Sequence, residues 1–382
     1  MLEKFHLATK VISGAGCISE VAAEASRMTA KPVLIVTDPG LVKTGLIDRI
    51  QAVLKEGGVE TRVFSDVQPN PDVRIAARCA EDINANATEL VIAVGGGSSI
   101  DTAKAACMLA TNGGDLRDYV GFERFRNDPV PMFAVPTTAG TGSEVTIVAV
   151  MSDEENDKKF TIGGQRLVPK AAFLDPELTL TLPKSVTAYT GVDALCHALE
   201  SYTSIYAQTI TDSLNVTAIK LIFANLPTAV LNGSNLEARR NMLNAACIAS
   251  MTCNSTFLGL VHAIASPLCA FYNIPHGTAV AVTLPEVLQF NLPVAVDKYA
   301  HLAREVGLDN GVSTDRELAQ RFVDAIRTLN KDIGIPEKLS AVGVETEKLD
   351  AIAEYAANYV QARYNARKAS VADVRGILDR LM

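Results

Sequence analysis

Three of the five histidines in this 382-residue chain fall between Gly191 and Gly277, in the company of one well-placed carboxylate. Asp193 and His197 stand in GVDALCHALE, His262 in GLVHAIAS and His276 in FYNIPHG. On a helix, a spacing of four places Asp193 and His197 on one face, one turn apart. One carboxylate and three imidazoles make a four-donor set that suits a borderline divalent ion, Fe(II) or alternatively Zn(II). The competing reading is ordinary helix packing with buried, hydrogen-bonded side chains. His6 and His301 have no such company and are read as satisfied core residues.

A metal cage needs a rigid frame, and the second half of the chain has the texture of one. From Ser185 onward the apolar period is helical, with helices predicted at about 186–203, 208–232, 236–271 with breaks, 277–291, 294–306, 314–331, 346–362 and 370–381. The first half alternates short β-branched runs with amphipathic segments, the pattern of a parallel α/β sheet. Pro32–Asp38, Val59–Ser65, Leu90–Val94 and Met132–Val135 read as strands, and the segments 46–54 and 73–84 as helices. The change of texture sets two domains, 1–183 (α/β) and 184–382 (all-helical).

The third strand runs into GGGSSIDTAK, Gly95 to Lys104. Glycines there allow close approach of a pyrophosphate, and a helix starting near Ser98 would point free N–H groups at it. A tight turn is the plainer alternative, and the run is not GxGxxG, so the ordinary dinucleotide fold is not indicated. Asp38 closes the first strand, where its carboxylate suits an adenosine ribose diol and would repel a 2'-phosphate, favouring NAD over NADP; it would equally serve as a helix N-cap. The fourth strand opens onto PTTAGTGSE, whose Thr137, Thr138, Thr141 and Ser143 offer four hydroxyls on a flexible loop. EVTIVAVMS and KKFTIGG read as a hairpin around the charged tip DEENDKK, with Lys159 on the return strand in reach of a phosphate or else a solvated edge charge.

Composition excludes several classes. A net charge of -8 argues against nucleic acid or an anionic membrane as partner and is ordinary for colloidal solubility. Seven cysteines without a CxxC pair read as reduced thiols in a cytoplasmic protein, and the charged start MLEKFHLATK lacks the apolar core of a signal peptide. The most apolar window, Leu258 to Pro275, contains His262, Asn273 and two prolines, so it is read as a buried helix bearing a ligand.

Taken in order, GGGSSIDTAK, PTTAGTGSE, GVDALCHALE, GLVHAIASPL and NIPHG resemble the signatures of the iron-containing (group III) alcohol dehydrogenase family over essentially the whole chain. The resemblance implies a parallel nucleotide-binding sheet followed by an all-helical metal domain, the dehydroquinate synthase-like architecture. It implies Asp193, His197, His262 and His276 as metal ligands. NAD contacts would fall on Asp38, Asn70, Gly96, Gly97, Ser98, Asp101, Thr137, Thr138, Thr141, Ser143 and Lys159. It also suggests a homodimer or higher homo-oligomer acting on a small alcohol/aldehyde pair. Three departures stand out. Ser266 occupies the position of a histidine that many relatives carry and that is credited with proton relay, leaving the serine itself as a candidate relay. The run QARYNAR, with Gln361, replaces a proline-containing NPR run. Val148 and Cys253 align with an asparagine and an aromatic in relatives of the propanediol-reducing type, so Val148, Cys253 and Gln361 mark a rewritten substrate wall. Arg363 and Arg367 keep open a reductase of an acidic aldehyde (carboxylate, phosphonate or sulfonate). A polyol dehydrogenase and a silent, metal-stabilised NAD-binding protein are also compatible with these residues.

Overall fold

Six four- or five-residue strands lie side by side in parallel, each too short to be stable outside the sheet, and the four inner ones are buried along their whole length. The computed structural model describes residues 3–153, 155 and 158–382; Glu154, Asn156 and Asp157 of the charged tip expected between the hairpin strands lie outside them. The strands are β1 (Lys10–Ser13), β2 (Val33–Val36), β3 (Thr61–Phe64), β4 (Val91–Gly95), β6 (Met132–Pro136) and β9 (Ala171–Leu174). Their order across the sheet is β1-β9-β6-β4-β2-β3.

Every residue of β2 and β4 is buried, as expected where helices cover both faces. Alternate side chains feed two separate cores. Val33, Ile35, Ile92, Val94, Phe133 and Val135 pack with α1 (Val21–Met28) and α3 (Leu46–Glu56). Leu34, Val36, Val91, Ala93, Met132 and Ala134 pack with α4 (Val73–Ala85) and α5 (Gly97–Asn112). Burial of each such aliphatic side chain contributes about 1.5–3 kcal/mol, so the two faces together outweigh the weak intrinsic preference of a four-residue strand. A second, three-stranded sheet holds β5 (Gly121–Phe122), β7 (Val148–Asp153) and β8 (Lys158–Gly163), with β7 and β8 antiparallel as the hairpin reading expects. A short helix, α2 (Pro39–Lys43), precedes α3.

The chain divides into two compact units, Leu7–Thr181 and Leu182–Met382, the latter joined by the N-terminal residues as far as His6. The second unit contains α6 (Lys184–Thr203), α7 (Thr209–Leu231), α8 (Leu236–Thr256), α9 (Leu260–Tyr272), α10 (His276–Asn291), α11 (Val296–Glu305), α12 (Asp315–Asp332), α13 (Leu349–Asn358) and α14 (Val371–Leu381). Its axis is α6, buried without interruption from Gly191 to Thr203. Gly191 is what lets α7 close on it: a Cβ there would lie 2.3 Å from Leu226 Cδ1. Thr314 with Glu317 and Ser370 with Asp373 form reciprocal caps that start α12 and α14. Among the described residues α7 is the one single helix long and apolar enough to cross a membrane, and it packs against α6 and α8. The apolar window around His262 is the 13-residue α9 and ends before Pro275.

Candidate metal and cofactor sites

Three helices converge on one carboxylate oxygen. Asp193 and His197 leave the same face of α6, His262 sits in the first turn of α9, and His276 opens α10. Asp193 Oδ1 lies 3.6 Å from His262 Nε2, 3.8 Å from His276 Nε2 and 4.0 Å from His197 Nε2. The rings of His197 and His262 stack at 4.8 Å and 17°, and those of His262 and His276 tilt at 5.4 Å.

The donor set passes a direct test of fit to a cation. Asp193 Oδ1 and His262 Nε2 are buried, face one another and have no hydrogen-bond partner. Orphaned buried atoms of this kind are costly unless something satisfies them. A tetrahedral ion with bonds of about 2.1 Å keeps its ligands about 3.4 Å apart, close to the spacings seen here. The Asp193 side chain is 3% exposed and that of His276 is 43% exposed, so the cluster is reached from the His276 side.

The electrostatics show how closely the carboxylates and imidazoles are coupled. Burial alone would raise the Asp193 carboxyl, but the imidazoles of His197, His262 and His276 hold it well below the usual carboxylate range. Burial would lower His262, yet Glu200 and then Asp193 push it up to about 9. Glu200 is the residue that sequence reasoning missed: its Oε2 lies 2.6 Å from His262 Nδ1. Its signal was available in GVDALCHALE, since positions 193, 197 and 200 fall on one helical face.

In the sheet unit the expected cofactor residues gather at the carboxyl ends of adjacent parallel strands. β2 is followed by α2 and α3 toward one face, and β4 by α5 toward the other, so the chain direction switches between them. Open α/β sheets bind ligands at such a point. Asp38 follows β2, Gly96, Gly97 and Ser98 follow β4 and begin α5, and Thr137, Thr138 and Thr141 follow β6. Thr137 N donates to Gly95 O at 3.0 Å, joining the two loops. A Cβ at Gly97 would lie 2.8 Å from Thr141 Cγ2, so only glycine admits this approach. Lys159 Nζ donates to Asn70 Oδ1 at 2.9 Å, bringing that pair together as well.

Several expectations change. Asp38 Oδ1 accepts from Leu41 N at 3.0 Å, so the residue is an N-cap whatever else it does. Ser143 donates its hydroxyl to Asp101 Oδ1, while Asp101 Oδ2 accepts from Val150 N at 3.0 Å. Both side chains therefore tie the threonine loop and β7 to α5, and their polar groups are engaged before any cofactor arrives. His6 and His301 are exposed, the latter stacked on Tyr202 at 6.4 Å, and neither is a core residue. Arg367 is half-buried, lies 4.1 Å over the Phe290 ring and donates to Phe290 O at 2.9 Å, whereas Arg363 is exposed.

The weaker substrate positions are divided between the two units, Val148 in the first and Cys253, Ser266 and Gln361 in the second. Cys253 Sγ donates to Ala249 O at 3.3 Å and approaches His197 O at 3.7 Å, beside the cluster. Ser266 is half-buried one turn beyond His262 on the same face of α9. Gln361 is half-buried in a short turn at Val360–Tyr364, and Val148 starts β7, its carbonyl held by Lys104 Nζ at 2.8 Å.

Residues 8–176 match the model described as iron-containing alcohol dehydrogenase, and residues 187–382 match its companion, the Fe-containing alcohol dehydrogenase family, C-terminal. This chain belongs to the iron-containing alcohol dehydrogenase family. Among its relatives in that family is the 1,3-propanediol dehydrogenase of Klebsiella pneumoniae, 39% identical over 368 residues and covering 95% of both chains. A crystal structure of a 1,3-propanediol oxidoreductase superposes with a TM-score of 0.97 at 36% identity, covering 100% of both chains. The sulfoacetaldehyde reductase from Bifidobacterium kashiwanohense, solved in complex with NAD+, gives a TM-score of 0.90 at 32% identity and covers 100% of this chain. The parallel sheet followed by a helical unit is thus the fold of this iron-containing family.

Proposed function

We propose that this protein is an NAD(H)-dependent, metal-dependent alcohol dehydrogenase or aldehyde reductase for a small alcohol/aldehyde pair, working in the cytoplasm as a dimer or larger homo-oligomer. The observation that carries the reading is the orphaned pair Asp193 Oδ1 and His262 Nε2 at the centre of four donors. Asp193, His197, His262 and His276 would hold Fe(II), with Zn(II) the alternative, because oxygen and nitrogen donors accept both. A divalent ion there supplies Lewis-acid polarisation of the substrate oxygen, easing loss of a proton from an alcohol or addition of hydride to a carbonyl.

The remaining work falls to the chain. The N-terminus of α5, with Gly96, Gly97 and Ser98, presents backbone N–H groups for a pyrophosphate. Asp38 keeps Oδ2 for a ribose diol and its charge against a 2'-phosphate. Thr138 and Thr141, both half-buried, line the facing loop, and Asn70 with Lys159 offers a further polar contact. Ser266 would hand on the proton directly or through water; Ser266→His should then change the pH–rate profile, and an unchanged profile removes position 266 from the relay.

A second reading, reduction of a short acidic aldehyde, is favoured by the likeness to a sulfoacetaldehyde reductase and by the exposed Arg363. One experiment separates the readings: NADH oxidation against neutral and acidic short aldehydes, with and without a chelator. Turnover that a chelator abolishes and anaerobic Fe(II) restores is the expected result. NADH binding without turnover on any aldehyde would instead make the chain a silent, metal-stabilised NAD-binding protein.

A further inference from the structure

Glu200 makes more bonds than the orientation of one imidazole requires. Besides His262 Nδ1, it accepts from Gly259 N at 2.8 Å and from Val261 N at 2.6 Å. Between those amides, Leu260 N donates to Asn365 Oδ1 at 3.4 Å. Asn365 is itself fixed by a reciprocal pair with Asn291, at 3.0 and 2.7 Å, and by donating to Arg367 O at 2.7 Å. Glu200, His262, Asn291 and Asn365 are all more than nine-tenths buried.

The first amides of a helix have no partner within it. In α9 three consecutive ones are closed by side chains from α6 and from residue 365, while the local N-cap, Gly259, contributes none. A Cβ at Gly259 would lie 2.9 Å from Glu200 Oε1 and 3.0 Å from Asn365 Oδ1. An ordinary cap would be a serine or aspartate at 259 itself. A buried carboxylate brought in from 59 residues away is a costly way to cap a helix, because a charged group must be taken out of water to do it. The third bond, to the ring of a residue in that same first turn, is what a cap alone leaves unexplained.

We infer that Glu200 and Asn365 are positioning residues for the metal: together they seat the first turn of α9 so that His262 Nε2 faces Asp193, and they set how tightly the cluster retains its cation. The inference rests on the proposed metal site and extends it to two side chains that touch neither substrate nor ion. With Nδ1–H directed at a carboxylate, Nε2 is the ring atom left to face Asp193, and a cation that displaced its proton would meet a stronger donor there.

The test uses the full-length chain, stripped by chelation and titrated with Co(II) against a colorimetric chelator, alongside the thermal midpoint of the metal-free protein. Glu200→Gln cannot accept all three bonds and should weaken Co(II) binding by roughly 10–100-fold. Asn365→Ala should weaken it by a smaller factor, with the metal-free midpoint moving less than the metal-bound one. A folded Glu200→Gln protein that binds Co(II) as tightly as wild type overturns the inference, as does an equal drop of both midpoints at unchanged affinity. Should Glu200→Gln fail to fold, Asn365→Ala decides by the same criterion. Wild-type protein that takes up no Co(II) would sink this inference and the dehydrogenase reading together, whereas wild-type uptake with unaltered variants sinks this one alone.

Discussion

Lys104 and Glu144, with Asp101 beside them, lie inside the sheet unit; Asp193 and its three histidines lie inside the helical unit. Both sets place charge where water is largely excluded, and they treat it in opposite ways. Lys104 Nζ donates to Thr146 O, Thr146 Oγ1 and Val148 O at 2.7, 3.0 and 2.8 Å, and Asp101 accepts from Ser143 and Val150. Burial pushes Lys104 down to about 8 and Glu144 up to about 7, against their mutual attraction. That group is closed: its donors bind the protein and brace the loop that follows β6. In the helical unit an oxygen and a nitrogen are left facing each other without a partner. The contrast separates charge that builds a frame from charge held ready for something to be added.

The largest expected effect breaks the open cluster. Asp193→Asn removes the central anion, so bound metal should disappear on elemental analysis and turnover should fall by at least roughly 10²–10³-fold. Breaking the closed cluster should instead cost stability. Lys104→Met leaves Asp101 and Glu144 without their buried cation, and chemical denaturation should show a loss of about 3–5 kcal/mol.

A pH series sharpens the distinction. Glu144 has a folded pKa above its ordinary value, so between about 4.5 and 7 the native chain holds a proton that the unfolded chain releases. Its contribution to stability is present below about 4.5 and is lost as the pH rises toward 7. Glu144→Gln has no such loss, so its melting temperature relative to wild type should climb across that window. A flat difference would mean that Glu144 stays ionised against Lys104. The smallest effect concerns Asp38. Asparagine keeps the cap on Leu41 N while removing the charge, so Asp38→Asn should raise relative use of NADP over NAD without lowering the melting temperature. No shift in cofactor preference would leave Asp38 a cap and nothing more.

How much of this was legible beforehand depended on whether the signal was local. The helices of the second unit follow from an apolar period written into each segment, and they lie within a few residues of their expected bounds. The four donors stood out because histidine is scarce and three of the five fall in one stretch. Glu200 escaped notice because a glutamate on a helix is usually solvated, and only the packing of α9 against α6 reveals what it faces. The bond between Ser143 and Asp101 was illegible for a related reason: a hydroxyl in a glycine loop suggests a ligand, and only the fold shows that a carboxylate from α5 faces it. β1 and β9 went unread because four residues carry little alternation and their pairing partners are distant in sequence.

That distance has a consequence for how the protein is made. Lys10 pairs with Ala171, so β1 has no neighbour in the sheet until some 160 further residues have been synthesised. At about 5–20 residues per second the delay is roughly 8–30 s, during which β1 waits unpaired. A nascent chain halted before residue 171 should therefore have Lys10–Ser13 open to protease, and one halted well beyond it should protect them.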